Sequence, residues 1–236
     1  MKKIFLYSLM LGMSVLGLTA CSDDAEMTDS RVTYYVNLDM QGEEFVQVPI
    51  GTPYTDAGCT ATENGEDVTS KIVVDGLSDI DVNTAGLYTI TYSALNKDGF
   101  PASVSRTVAV CDPSITTDIS GSWTTQGGTQ RVYKGATVTP FPDYTIRISK
   151  AAPGIFYVTD LFAGYYDQRA GYGSSYACRG YLQLLADGTL VCLSSSVAGW
   201  GDSLDDFEGS YDAATETLTW DEGYAGSMTF HIILNK

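Results

Sequence analysis

The stretch from Gly86 to Ala94, Gly-Leu-Tyr-Thr-Ile-Thr-Tyr-Ser-Ala, decides the fold class of this 236-residue chain. Its large apolar residues Tyr88, Ile90 and Tyr92 alternate with small polar ones, which is the pattern of a strand buried on one face. Residues 102–110 alternate in the same way. The two runs therefore predict an antiparallel β-hairpin.

The loop length determines how the two strands of this hairpin face each other. A two-residue Asp-Gly loop would put their apolar sets on opposite faces of the sheet. A three-residue loop, Lys97-Asp98-Gly99 with Gly99 in the left-handed conformation, pairs Tyr92 with Val104 and Tyr88 with Val108. Register and turn chemistry therefore agree on the three-residue loop.

Short strands and turns also surround the hairpin. Residues 44–50 and 71–74 read as strands, and Gly51-Thr52-Pro53, Asn64-Gly65 and Asp75-Gly76 supply turns between them. Short strands at this spacing predict a β-sandwich.

The same region resembles the bacterial immunoglobulin-like (Ig-like) domain that is attached to many secreted and surface proteins. The resemblance covers nearly all of residues 45–110 and rests on Tyr54-Thr55-Asp56-Ala57-Gly58, Gly65-Glu66-Asp67-Val68-Thr69, Gly86 to Tyr92, Asp98-Gly99 and Arg106-Thr107-Val108. It implies a spacer or presenting module without catalysis.

A second strand-rich region follows Asp112-Pro113-Ser114, where the proline ends the preceding strand. We therefore place the Ig-like sandwich at residues 31–112 and a C-terminal antiparallel β-domain at residues 113–236. The candidate strands of the second region are residues 144–148, 155–159, 181–185, 190–193, 217–220 and 228–234. Periodicity does not separate a β-barrel from a β-sandwich here. Gly121-Ser122-Trp123 resembles the opening of a lipocalin-like (calycin) barrel.

One hairpin of the second region constrains two cysteines. A two-residue loop at Asp187-Gly188 pairs Leu184 with Val191 and Leu182 with Leu193. Cys192 then faces Gln183 and lies too far along the strand from Cys178 for a disulfide. The sequence predicts no bridge between these two cysteines. It leaves the pairing of the remaining thiols open, and these are Cys59, Cys111, Cys178 and Cys192.

The N terminus carries an export signal. Lys2 and Lys3 precede an apolar stretch of about 15 residues, which is shorter than the roughly 20 of a membrane span. Leu18-Thr19-Ala20-Cys21 fits the lipobox of bacterial lipoproteins. Residues 1–20 are therefore predicted to be a lipoprotein signal peptide and Cys21 the lipid attachment site. Residues 21–30 read as an acidic tether, which resembles the signal that sends some lipoproteins to the exterior face of the outer membrane.

The charge of the chain excludes one class of partner. Lys and Arg number 13 and Asp and Glu number 29, for a net charge of −16; without the two lysines of the signal peptide, 11 minus 29 gives −18. A chain this acidic is repelled by nucleic acid and by anionic lipid head groups. We therefore expect no nucleic-acid partner.

A tyrosine-rich segment is the main candidate binding site. Tyr165, Tyr166, Tyr172 and Tyr176 lie among glycines and serines, and Trp200 lies in a second Gly-rich stretch. This mixture combines rigid amphipathic rings with adaptable hydrogen bonding, as in binding loops of immunoglobulin domains. We predict these five residues to bind a glycan or a peptide. The alternative is that the tyrosines simply cover one end of the domain.

The sequence gives only weak indications of metal binding and of catalysis. Asp202, Asp205, Asp206 and Glu208 are candidate calcium ligands, although their spacing is not that of an EF-hand and a solvated loop is the alternative. The single histidine, His231, lies in an alternating apolar strand without a nucleophile motif, which favours a structural role. We therefore expect no catalytic residues, no enzyme activity and no cofactor apart from this candidate calcium ion.

Taken together, the lipobox, acidic tether, Ig-like domain and Tyr-rich β-domain resemble the accessory surface lipoproteins of SusC/SusD-like outer-membrane uptake systems. The resemblance implies a non-catalytic lipoprotein, anchored in the outer membrane and facing the cell exterior. It would bind or present a glycan or peptide nutrient beside the transporter. Two alternatives remain open: a structural or adhesive spacer, and a calycin-like carrier of a small lipid, which needs an apolar cavity.

Overall fold

The structure is a computed structural model that describes residues 32–236. Strands account for 52% of it and helices for 7%, which confirms the all-β prediction. The predicted signal peptide at residues 1–20, the lipid attachment residue Cys21 and the tether at residues 21–30 lie outside the described residues. None of the helices in the described part is long and apolar enough to cross a membrane.

The first seven strands form an Ig-like sandwich. They are β1 (Val36–Met40), β2 (Phe45–Pro49), β3 (Cys59–Glu63), β4 (Glu66–Asp67), β5 (Val73–Asp75), β6 (Gly86–Leu95) and β7 (Pro101–Cys111). One sheet has the order β1-β3-β4 and the other the order β2-β7-β6-β5, with β2 parallel to β7. Single 3₁₀ turns lie at Thr69–Lys71 and Leu77–Asp79. Apolar side chains of both sheets meet in the core, which includes Ile90, Tyr92 and Val108 from one sheet and Met40 and Cys59 from the other.

The predicted β6–β7 hairpin is confirmed in register and in loop type. Tyr92 pairs with Val104 and Tyr88 with Val108. Gly99 has a φ of 87°, the left-handed conformation that a three-residue loop requires. Tyr92 and Val108 are fully buried, because this register turns both apolar sets toward the other sheet.

A buried ion pair joins two of the motifs that carry the Ig-like resemblance. Arg106 is 1% exposed, and its guanidinium pairs with the carboxylate of Asp56. It also donates to the backbone carbonyls of Gln41 and Glu43, and the Tyr92 hydroxyl donates to Asp56 at 2.6 Å. These hydrogen bonds compensate the burial of both charges, and they hold the pKa of Asp56 below its usual value against the opposing effect of burial.

The remaining ten strands form the C-terminal domain. They are β8 (Gly121–Thr125), β9 (Gln130–Tyr133), β10 (Thr137–Pro140), β11 (Thr145–Ala152), β12 (Ile155–Val158), β13 (Cys178–Leu184), β14 (Thr189–Val197), β15 (Asp206–Asp212), β16 (Thr217–Tyr224) and β17 (Met228–Asn235). A single π-helical turn at Tyr165–Arg169 and a 3₁₀ turn at Ser174–Tyr176 lie between β12 and β13.

Eight of these strands close into an antiparallel barrel. The C-terminal domain is therefore a β-barrel and not a β-sandwich, a choice that the alternation pattern left open. The order is β8-β11-β12-β13-β14-β15-β16-β17, and β17 pairs back to β8 through Leu234↔Thr125 and Asn235↔Thr124. The hairpin of β9 and β10 extends the sheet beyond β17. Trp123, from the Gly-Ser-Trp motif, is fully buried, and its indole N–H donates to the carbonyl of Ile119 at 2.8 Å.

Large side chains fill the barrel interior. Trp220, Phe156 and Phe230 are completely or almost completely buried and belong to one continuous cluster with Trp123. A carrier of small lipids needs an empty apolar space in this position, so the packed interior does not support that alternative.

The two-residue register predicted for the β13–β14 hairpin is wrong. Leu184 pairs with Leu190 rather than Val191, and the loop has three residues, Ala186-Asp187-Gly188, closed by Leu185 and Thr189. Leu193 is an extra residue of β14, and beyond this bulge the pairing is Tyr181↔Ser194. The bulge shifts the register by one residue, which restores the predicted alignment in the second half of the hairpin. All four cysteines in the described residues are free.

The sandwich and the barrel touch through the outer faces of their sheets. Ala109 and Cys111 of β7 pack on Ala152 and Ile155 of the barrel. The rings of Phe45 and Tyr181 stack at the edge of this contact with their centroids 6.4 Å apart. The sandwich ends at Cys111, and the first barrel strand begins at Gly121.

Candidate binding site at one end of the barrel

A buried carboxylate organises the segment between β12 and β13. Asp160 accepts hydrogen bonds from the backbone N–H groups of Phe162, Gly164 and Cys178 at 2.8–3.1 Å. These bonds fold the chain back on itself after β12. Burial raises the pKa of Asp160 to about 7, although the three donated hydrogen bonds act in the opposite direction.

Gly164 is required at the sharpest point of this segment. Its φ is +88°, and a Cβ at this position would lie 2.9 Å from the Cβ of Tyr144. The π-helical turn begins directly after it and directs Tyr165 and Tyr166 into the protein. The local sequence therefore favours an inward turn where the composition indicated an exposed loop.

Tyr165 and Tyr166 are consequently buried, at 6% and 7% exposure, which corrects the expectation that they face a ligand. The Tyr165 hydroxyl accepts a hydrogen bond from Arg131 at 2.9 Å, and its ring packs edge-on against Phe141. The Tyr166 ring packs on Phe162. Burial raises the pKa of Tyr166 to about 12. Both tyrosines are part of the buried core at this end of the barrel.

Tyr172, Tyr176 and Trp200, by contrast, line a shallow cavity of about 320 Å³ at the surface. Tyr172 is 56% exposed and Trp200 41% exposed. The ring centroids of Tyr176 and Trp200 are 4.8 Å apart, and those of Tyr172 and Tyr176 are 5.6 Å apart. We call these three side chains the aromatic patch. The structure thus brings together three of the five predicted binding residues on an accessible surface.

The turn that carries Trp200 is fixed to the segment that carries Tyr176. The N–H of Gly199 donates to the carbonyl of Ser175 at 2.7 Å. A Cβ at Gly199 would lie 2.6 Å from the Tyr176 ring, so only glycine permits this approach. The glycine before Trp200 is therefore the sequence signal for this contact.

Buried aromatic side chains hold the patch in place. The Tyr166 ring lies beneath both exposed rings, with its centroid 4.8 Å from that of Trp200 and 6.0 Å from that of Tyr172. Tyr224 packs against Trp200 at 5.9 Å, and its hydroxyl donates to the Asp202 carboxylate. Rings that are already packed on buried neighbours lose little conformational entropy when a ligand binds.

The four candidate calcium ligands do not converge. Asp202 accepts the Tyr224 hydroxyl, and Asp205 accepts the backbone N–H of Gly226 at 2.7 Å. Asp206 lies over Gly223, and Glu208 is exposed on the outer face of β15. Within residues 32–236, no group of three or more His, Cys, Asp or Glu side chains is arranged to hold a metal ion. The donor set therefore does not fit calcium, which corrects that expectation.

His231 lies on the outer face of the barrel, directly across from Asp221 on the neighbouring strand. Its Nδ1 is 2.7 Å from the Asp221 carboxylate. Both side chains are well exposed, so this is a surface pair between adjacent strands.

Sequence reasoning missed a fully buried acid, Glu222. Its carboxyl oxygens have no hydrogen-bond partner, and burial raises its pKa well above the usual value, helped by the negative charge of Asp160. The alternation of Leu218, Trp220, Glu222 and Tyr224 along β16 was the available signal, because it places all four on the inner face.

The fold and the matched domains define a bacterial surface protein with two β-domains. The model of the bacterial surface protein Ig-like domain matches residues 38–110, and a model of a C-terminal domain matches residues 112–236. The crystal structure of the lipoprotein BT2262 from Bacteroides thetaiotaomicron is 41% identical in sequence, with a TM-score of 0.49. It covers 86% of this chain and is itself covered completely. The chain belongs to the same family as this lipoprotein.

More distant similarities add nothing to this assignment. The CBM51-2 and INT domains of Clostridium perfringens ZmpB, determined with GlcNAc, are 19% identical over 52% of this chain and 28% of theirs, with a TM-score of 0.26. The M60 catalytic domain of ZmpB with its two CBM51 domains is 18% identical over 53% of this chain and 14% of that one, with a TM-score of 0.28. No curated protein is similar to the chain.

Proposed function

We propose that this surface lipoprotein is non-catalytic and captures a glycan or a peptide on the aromatic patch, beside a SusC/SusD-like outer-membrane uptake system. The observation that carries the proposal is the exposure of the Tyr172 and Trp200 rings on a buried aromatic foundation. Family membership and the lipobox at Cys21 support a position on the outer membrane facing the exterior.

The shape of the patch suits flat, amphipathic ligands. Single exposed aromatic rings are common on protein surfaces, whereas a contiguous group of them marks a surface that binds a partner. Tyr172 and Trp200 meet nearly at right angles, with an interplanar angle of 84°, so a ligand can contact one ring face and one ring edge together. Sugar rings and peptide side chains both offer surfaces for such contacts.

We expect Trp200→Ala and Tyr172→Ala to weaken ligand binding at least about tenfold each, as is usual for central aromatic residues of a binding surface. The purified protein is screened against glycan and peptide arrays, and the hits are measured by calorimetry. Phe100→Ala is the matched control, because it removes an exposed ring from the sandwich, far along the chain from the patch.

Tyr165 and Tyr166 are unsuitable for this test, because truncating buried rings destabilises the barrel itself. If the purified protein binds neither glycans nor peptides while its thermal unfolding is normal, the capture function is wrong. Binding that survives both substitutions in the patch would place the ligand elsewhere on the molecule.

A further inference from the structure

The barrel wall is open between β14 and β15. The two strands pair only at Thr189↔Ser210 and Leu190↔Gly209. Val197, the last residue of β14, makes an isolated bridge with Asp202, which precedes β15 in the chain. On its other side β15 pairs with β16 over its full length of seven residues. The separation is therefore local to one edge of each strand.

We call this opening the wall gap. It has a volume of about 280 Å³ and is lined on one side by residues 191–195 and on the other by residues 204–207. Its far end is closed by a hydrogen bond from the backbone N–H of Leu204 to the hydroxyl of Ser195 at 3.0 Å. Between these closures, no strand of the described chain pairs with either edge.

The backbone of β15 directs hydrogen-bonding groups into the wall gap. The N–H of Tyr211 donates to Gly188 on the β14 side. Because N–H groups alternate in direction along a strand, those of Gly209 and Phe207 point to the same side. Gly209 lies opposite Leu190, whereas Phe207 lies beyond the last pair of the ladder. Two strand edges thus face a space in which a further strand would satisfy both.

The wall gap is also acidic. Asp205 and Asp206 lie on its rim. Both side chains are exposed. Carboxylates at the rim of an opening favour a ligand that carries positive charge.

We propose that the wall gap binds an extended peptide segment with basic side chains, which adds as a strand to the free edges of β14 and β15. Backbone hydrogen bonds supply the affinity, and the exposed carboxylates of Asp205 and Asp206 supply the preference for positive charge. This site is separate from the aromatic patch, and the proposal does not depend on that patch binding a ligand.

The test uses the purified full-length protein and an acetylated synthetic peptide of alternating threonine and lysine. Ser194→Lys places a positive charge on an exposed position of the wall gap, and we expect it to weaken binding about tenfold or more through like-charge repulsion. Ser196→Lys is the matched control, because Ser196 is exposed on the same strand but does not line the wall gap. It should bind as the wild type does.

Two further probes separate strand addition from simple charge attraction. The same peptide with alternate backbone nitrogens methylated keeps its charge but loses half of its N–H donors, and we expect it not to bind. Hydrogen exchange should show new protection at Val191–Ser195 and Asp206–Glu208 when the parent peptide is added. The Trp200→Ala variant should bind the peptide normally.

Equal binding of the methylated and parent peptides would overturn the proposal, since attraction by surface charge would then explain the interaction. Equal weakening by Ser194→Lys and Ser196→Lys would overturn it for the same reason. No binding of the parent peptide by the wild type would also overturn it, whatever the aromatic patch binds.

Discussion

Both carboxyl oxygens of Glu222 lie inside the barrel without a hydrogen-bond partner. Burial raises the pKa of this carboxyl well above its usual 4.5, and the negative charge of Asp160 adds to the effect. The folded barrel therefore holds Glu222 as a neutral acid over a range of pH in which the unfolded chain ionises it. The free energy of unfolding consequently falls as the pH rises from 4.5 toward the folded pKa.

Glu222→Gln should remove this dependence, because glutamine has a similar shape and does not ionise. We expect the variant and the wild type to be similarly stable near pH 4, and the variant to become more stable by up to about 1.4 kcal/mol for each pH unit above that. Urea unfolding at pH 4 and pH 8 measures the difference. Glu208→Gln removes an exposed acid on the neighbouring strand and is the control for the loss of one carboxyl group. A constant difference across this range would contradict the assigned pKa shift.

At the level of single residues, the sequence predicted the inward and outward faces of strands better than it predicted loops. Phe230, Ile232 and Leu234 of β17 are buried as their alternation indicates. Tyr165 and Tyr166 lie in a segment without a period, and their burial depends on the Asp160 hydrogen bonds and on Gly164. The residues joined by these interactions are not regularly spaced along the sequence. Only the amino-acid composition of the segment was therefore informative, and it suggested an exposed loop.

At the level of elements, two hairpins use the same loop chemistry. Lys97-Asp98-Gly99 and Ala186-Asp187-Gly188 both place glycine in the left-handed conformation, with φ of 87° and 88°. The register was predicted correctly only for the first, because its apolar residues fix the pairing on both strands. In the second, the bulge at Leu193 compensates for the longer loop, and a bulge leaves no mark in the alternation.

The two glycines differ in their surroundings. A Cβ at Gly99 would meet nothing within 4 Å, whereas one at Gly188 would lie 2.6 Å from the carbonyl oxygen of Tyr211 in β15. We expect Gly99→Ala to destabilise the sandwich by about 1–2 kcal/mol through backbone strain alone. Gly188→Ala should destabilise the barrel by more, because the loop must also move away from β15. Chemical denaturation of the two variants compares them, and equal losses would show that the contact with Tyr211 is unimportant.

Strands β9, β10 and β15 were not predicted from the sequence, and the reason is physical. The residues of β9 and β10 are partly or fully exposed along their whole length, so these strands have no buried face to produce a period. β15 does alternate, with Phe207, Gly209 and Tyr211 on the inner side, but the glycine and the acidic residues between them obscure the pattern. The sequence also contained no indication that the barrel closes, since closure depends on the short pairing between β17 and β8.

At the level of the whole molecule, the contact between sandwich and barrel is built from residues that each domain would otherwise expose to water. Phe45 stacks on Tyr181, and Gln47 donates to the carbonyl of Ala151 at 2.8 Å. Leu87 and Leu193 pack beside them. Such residues lie on the outer faces of their sheets, where a sequence pattern cannot distinguish a covered position from a solvated one. We expect these contacts to hold the two domains in one orientation.

Phe45→Ala should release this orientation without unfolding either domain, because the ring lies at the domain contact and outside the main core of the sandwich. We expect small-angle scattering to show a larger radius of gyration for the variant than for the wild type. Hydrogen exchange at the outer faces of β7 and β12 should increase at the same time. Phe100→Ala removes an exposed ring of the same sandwich that contacts Tyr35 rather than the barrel, and it should leave both measurements unchanged. A radius of gyration unaffected by Phe45→Ala would mean that the small side chains Ala109, Cys111 and Ala152 hold the two domains together without the aromatic stack.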